Sequence, residues 1–226
     1  MSLPITYHPL FANHLPFLFQ NQQISQYLTN SLLSEATEKL VIDNLEKAIP
    51  EYDVIILSDY HIGTVTKKVM ESTIKLANKY NKIIVVDAQK DLKNYKNITS
   101  MTPNLPDTEK SVGFEIKTED DLQKAGDKLL AETKAKSIVI TCGADGMFVA
   151  EPKKKYKKIP VFNKSQVFDV TGAGDTVTAV YSLALATGAD YIYAAIIGNI
   201  AASIVVRQFG CATTTIDELL KAAEIL

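Results

Sequence analysis

The chain has 226 residues, 46% of them hydrophobic, which is enough to bury a core as one folded domain and excludes a disordered composition. Its 24 Lys and Arg against 26 Asp and Glu leave a formal net charge of -2, which excludes the strongly basic footprint of a nucleic-acid binder. Only Cys142 and Cys211 are present, without a CxxC pair or a Cys/His cluster, and no apolar run reaches membrane-spanning length, so a reducing, cytoplasmic setting is expected, with no disulfide framework, structural zinc or membrane span.

Residues 1–50 read as an atypical segment. Pro4, His8, Pro9, His14 and Pro16 lie among isolated hydrophobics, and only 34–49 carries a helical pattern. From Asp53 onward strand and helix alternate. Val54-Ile55-Ile56-Leu57 is the short β-branched run of a covered parallel strand, ending at Ser58-Asp59. Thr66 caps a helix expected to run to Tyr80, which delivers the chain to a second strand, Ile83-Ile84-Val85-Val86-Asp87. Pro103 marks an exit from extended structure, followed by a polar-faced helix over 119–132 and a strand, Ser137-Ile138-Val139-Ile140-Thr141. Gly143 and Gly146 flank a turn into the strand Met147-Phe148-Val149-Ala150. The lysines 153, 154, 155, 157 and 158 follow Pro152 and read as a solvated turn and strand edge. Helices are expected over 177–186, 191–209 and 216–225, with Gly188 ending the first and with Tyr193 and Phe209 packing helices together.

Such alternation without an internal repeat predicts a three-layer α/β domain with a mostly parallel central sheet, whose ligands bind at the carboxyl ends of the strands. Thr171-Gly172-Ala173-Gly174-Asp175 leads into a helix there. Exposed backbone N–H groups and the positive end of a helix dipole can hold an anion, and an adjacent Asp can accept a proton. On chemistry alone a phosphate site and a tight helix-entry turn capped by Asp stand as equal alternatives. No Gly-Lys-Ser/Thr follows the glycines, so this is not a P-loop. His8, His14 and His61 lack metal-ligand spacing, and Cys142 reads as a small packed residue.

The segment Val167-Phe168-Asp169-Val170-Thr171-Gly172-Ala173-Gly174-Asp175-Thr176 resembles the signature of the ribokinase-like (PfkB) carbohydrate kinases. The likeness runs from about Asp53 to the C-terminus and is nearest to the heptose-7-phosphate kinase domain of bifunctional heptose kinase/adenylyltransferases, through Leu57-Ser58-Asp59-Tyr60, Thr102-Pro103-Asn104-Leu105, Thr141-Cys142-Gly143-Ala144-Asp145-Gly146 and Gly198-Asn199-Ile200-Ala201-Ala202. It implies a ribokinase-like fold that binds ATP, Mg2+ and K+ and phosphorylates a sugar or sugar phosphate, with 51–226 as the nucleotide-binding and catalytic portion. By the same resemblance Asp175 is the catalytic base, and Gly172, Ala173 and Gly174 form the anion hole. Thr141, Gly143, Gly146, Asn199 and Asn104 fall at the nucleotide. Asp59 and Asp87, each at a strand end, read equally as polar loop anchors or as acceptor-side or magnesium-side residues, and Lys90 stands displaced from a family lysine at the acceptor. Asp107 falls near the magnesium, and Asp169, Thr171, Val205, Gly210 and Thr214 fall on a monovalent-cation loop.

The sequence also departs from that pattern. Ile62 stands where the heptose kinases carry a lysine, Asp107 replaces a Glu, and Asp87-Ala88-Gln89-Lys90 replaces Asp-Pro-Lys. The family's first α/β segment, with its acidic sugar ligand and lid, is expected to be absent apart from a trace of lid at Asn21-Gln22-Gln23. The competing reading is therefore a nucleotide-binding or assembly module without turnover. The strand starting at Val54 would then have an open side, covered either by Phe11, Leu15, Phe17 and Leu18 or by association, as a homodimer or with a completing partner.

Overall fold

The computed structural model describes residues 33–162 and 167–224. Helix α1 (Glu35–Ala48) leads into strand β1 (Val54–Asp59), helix α2 (Lys67–Lys79), β2 (Ile83–Ala88) and β3 (Ser100–Met101). Then come α3 (Leu105–Val112), α4 (Glu119–Thr133), β4 (Ser137–Thr141), β5 (Met147–Ala150) and β6 (Lys157–Ile159). Helices α5 (Ala173–Ala186), α6 (Tyr191–Val205) and α7 (Ile216–Ala223) complete the order.

The six strands form one sheet in sequential order, β1 to β4 parallel and β5 and β6 antiparallel. One core lies against α2 and α4 and includes Leu57, Met70, Ile74, Val86, Met101, Leu129, Ile138 and Phe148. The other lies against α5 and α6 and includes Val85, Val139, Val149, Val177, Tyr181 and Ala194. Period-two alternation explains the division, because successive β2 residues face opposite helix layers. Two hydrogen bonds fix α5 on the sheet within this apolar layer: Tyr181 Oη with Ser100 Oγ and Thr102 Oγ1 with Thr178 Oγ1, each 2.8 Å.

Several expected boundaries shift. Helix α3 is absent from the sequence reading, which took Pro103 as an exit and no more. Asn104 in fact caps a helix, its Oδ1 accepting from the Asp107 N–H at 2.8 Å, with Pro106 in the first turn where no N–H is needed. Helix α5 starts at Ala173 rather than 177, because Gly172 turns the chain with a φ of 77°. Helix α6 stops at Val205 rather than 209, and α7 is described to Ala223. Tyr193 and Phe209 do not pack helices together: they are 65% and 82% exposed, and Phe209 instead meets Phe168, ring centroids 5.4 Å apart. The lysine run does form a turn and an edge strand, β6. Strand β1 is the other edge among the described residues, and Asn21, Gln22, Gln23, Phe11, Leu15, Phe17 and Leu18 lie outside those residues. Among the described residues no helix is long and apolar enough to cross a membrane.

Candidate active site

Parallel pairing of β1 to β4 brings their carboxyl ends to one edge of the sheet, and the antiparallel β4–β5–β6 hairpins return Gly146 and Pro160 to the same edge. Asp59 and Asp87 pair with neighbours at the ends of β1 and β2, and Asn104 bridges to Thr141 at the end of β4. The start of α5 joins this edge: Tyr60, one residue past β1, donates its phenolic hydrogen to Asp175 Oδ1 at 2.6 Å. Gly143 and Gly174 thus belong to the same strand-end side of the sheet.

Six of the seven described helices have a side-chain N-cap, from Ser34, Thr66, Asn104, Thr118, Asp190 and Thr215. Helix α5 has none; the left-handed Gly172 precedes it. The Ala173 N–H donates to the Val170 carbonyl at 3.1 Å, while the amides after it open the helix with no side-chain partner, where a helix dipole favours an anion. A side chain at Gly174 would meet nothing within 4 Å, so the flank of the first turn at Gly174 is open.

The carboxylates at this edge repel one another. Asp87 is pushed up to about 6, first by burial and then by the charges of Asp175 and Asp107. Asp107 is itself buried and is paired with Lys110 at 3.2 Å. Among the described residues no three His, Cys, Asp or Glu side chains gather into a metal cage. Asp87 and Asp107 offer the one or two carboxylates that a magnesium ion, which keeps several of its waters, takes from protein.

The weakened acidity of Asp87 carries a stability consequence. Its ordinary value is 3.8, so the folded chain holds this proton more tightly than the unfolded one. The associated stability is complete below about pH 3.8 and is lost as pH rises through about 6. D87N is expected to be more stable than wild type at pH 8 by about 1–3 kcal/mol, the gap closing towards pH 4. Urea midpoints that coincide at pH 8 would contradict the carboxylate cluster.

The remaining sequence-derived residues divide. Asp59, 6% exposed, pairs across the sheet with Ala88 and accepts from the His61 N–H at 2.8 Å and the Tyr95 hydroxyl at 2.5 Å, while the Lys90 carbonyl lies 3.1 Å from His61 Nε2. Asp59 and His61 border a cavity of about 450 Å³ shared with α2, on the sheet face opposite Asp87 and α5. Asn199, 5% exposed, gives its amide hydrogen to the Pro160 carbonyl at 2.6 Å and so ties α6 to the end of β6. Asp169 clasps two loops: Oδ1 accepts from the Thr171 N–H and Oδ2 from the Gly210 N–H, both at 2.9 Å, and the Thr171 side chain first, then these two amides, hold its carboxyl below the usual range. Val205 ends α6 in the buried core, and Thr214 Oγ1 lies 3.4 Å from Glu218 at the start of α7. Cys142 is packed, and burial raises its thiol to about 11, the chemistry of an inert side chain. The residue the sequence reading passed over is Tyr60, quoted only as part of a motif; its strand-end place beside Asp59 was the available signal.

The fold thus brings an uncapped, glycine-led helix and an acidic side chain together at the strand ends of an α/β sheet. The chain belongs to the pfkB family carbohydrate kinases, whose family model matches residues 18–218. Its relatives include the bifunctional protein HldE of Nitratiruptor sp., 37% identical over 187 residues, and that of Desulfatibacillum aliphaticivorans, 39% identical over 188; each match covers 83% of this chain. The chain spans about two fifths of those relatives' length, 39% and 38%. Among solved structures, Escherichia coli phosphofructokinase-2 in complex with potassium aligns over 86% of this chain and 63% of its own, with a TM-score of 0.73 and 21% identity. Arabidopsis thaliana ribokinase complexed with ribose and ATP aligns over 84% and 59%, with a TM-score of 0.69 and 19% identity. The fold is therefore ribokinase-like, as the sequence predicts, with a mixed, mostly parallel sheet.

Proposed function

We propose that this chain moves the γ-phosphoryl group of ATP to a hydroxyl of a sugar or sugar phosphate, with heptose 7-phosphate the first candidate acceptor. The observation that carries the reading is the uncapped start of α5, with Asp175 in its first turn at the strand-end edge. Asp175 takes the proton of the attacking hydroxyl, while the turn at Gly172, Ala173 and Gly174 stabilises the charge on the moving phosphoryl group. Bound magnesium ATP supplies that group and screens its charge. Thr141, Gly143, Gly146 and Asn104 line the nucleotide side, with Asn199 holding Pro160 beneath it. Asp107 serves the magnesium region, and Asp87 the acceptor, with Asp59 and Lys90 bracing the loop around His61. The clasp of Asp169 on Thr171 and Gly210, with Val205 and Thr214 nearby in sequence, suits a K+ loop built from backbone carbonyls. Residues 51–226 carry this machinery, with the atypical N-terminal segment supplying the packing helix α1, whose Glu38 meets Thr66 and Lys68 at the start of α2. The 37% and 39% identical HldE relatives support the heptose choice.

The test is ADP formation by the purified chain with magnesium across a panel of sugars and sugar phosphates. Release that depends on heptose 7-phosphate is expected, and no release with any acceptor rejects the reading. One observation favours a second reading, a nucleotide-binding module without turnover: Ile62, in the motif position that a lysine holds in the resembled kinases, is 57% exposed and offers nothing to a phosphate. Nucleotide binding without ADP formation is the outcome that module predicts.

A further inference from the structure

The last residue of β1 and the residue after it do different work. Asp59 is buried and clamped by the His61 N–H and the Tyr95 hydroxyl, so the chain leaves the strand in one direction. Alternation then sends the next side chain, Tyr60, to the other face of the sheet, the face covered by α5. Its phenol reaches Asp175 Oδ1 at 2.6 Å. Among the described residues no lysine, arginine or histidine pairs with Asp175, which shares its surroundings with the carboxylates of Asp87 and Asp107. A cation there would hold the carboxylate in place only by sacrificing its basicity, whereas a neutral phenol gives direction without a full charge.

We propose that Tyr60 is a positioning residue for Asp175: its phenol occupies Oδ1 and turns Oδ2 towards the acceptor hydroxyl. This rests on Asp175 being the base. In the step itself the acceptor O–H bond breaks and its proton passes to Asp175 Oδ2. The acceptor oxygen bonds to the γ-phosphorus, and the bond from that phosphorus to the β–γ bridging oxygen breaks to release ADP. Tyr60 keeps its own proton throughout. The groups facing that phenol are Asp175 on α5, Asp87 on β2 and Ser58 on β1; the hydrogen bond to Asp175 first, then burial and the two negative charges, push Tyr60 up to about 12. It therefore remains a donor across the working range of a kinase assay.

Two measurements on the full chain test the proposal. Y60F is expected to lower kcat about 5–30-fold while the KM for ATP stays within about twofold, the signature of a misdirected base rather than a damaged nucleotide site. In parallel, carbon-13 NMR of tyrosine labelled at Cζ, with Tyr60 assigned by sequential correlation in the wild-type chain, should show Tyr60 titrating near 12 in wild type. In Asp175→Ala the midpoint should fall by about one unit or more. Identical Tyr60 titrations in wild type and Asp175→Ala overturn the proposal even if Y60F folds poorly. An active wild type with kcat untouched in Y60F overturns it alone, whereas a wild type without any turnover overturns the functional reading and the proposal together.

Discussion

D175N is expected to lower kcat about 10²–10⁴-fold, the range a positioned general base contributes. Asn keeps the size and the hydrogen-bonding oxygen of the side chain and removes only its capacity to take a proton. Asp175 occupies the first turn of α5, with its backbone in the helix and one oxygen on Tyr60, so the substitution leaves the turn at Gly172 unaltered. Affinity for ATP should hold or improve, because a negative charge beside the phosphates is lost. Steady-state ADP release and equilibrium titration with a fluorescent nucleotide separate the two effects. A kcat within threefold of wild type would remove Asp175 from the role of base.

G146A is expected to be the most damaging single substitution for stability, costing about 3 kcal/mol or more, a large share of the total of a domain this size. Gly146 has φ 86° and ψ -133°, a conformation that only glycine adopts readily. An added Cβ would also sit 2.1 Å from the Ile159 carbonyl oxygen and 2.7 Å from the Val161 nitrogen, both backbone atoms of β6 and its exit. Neither can swing aside, so β6 must leave β5 or the turn must unwind. Gly143→Ala is the matched control. Its φ of 56° is also left-handed, but nothing lies within 4 Å, and the cost should be about 1 kcal/mol. Urea unfolding of the two variants gives the comparison, and equal midpoints would show that the approach of β6 does not matter.

This pair also shows where sequence reasoning stops. Both glycines read as turn residues beside a nucleotide loop, and nothing in Gly143-Ala144-Asp145-Gly146 distinguishes them. The difference arises because β6, a dozen residues later, returns antiparallel and lays its backbone on Gly146 alone.

The sequence by itself determined the alternation of β-branched runs with capped helices, and from that the parallel sheet, its two covered faces and the edge where strands end. Those features follow from local periodicity and cap chemistry, which neighbouring residues carry. It also determined the Thr171-Gly172-Ala173-Gly174-Asp175 turn and, through resemblance, the family. Only the tertiary structure decided which strand-end carboxylates share a space. Asp59 and Asp87 look equivalent in the chain, yet the pleat turns Asp59 towards Tyr95 and His61 and leaves Asp87 buried near Asp175 and Asp107, where it holds its proton more tightly. The same folding brought Tyr60 to Asp175 across 115 positions of sequence, a contact set by strand register and by the seat of α5 on the sheet. Such contacts depend on which face of an element is turned to which neighbour, and a linear pattern carries that choice only after the layers have packed.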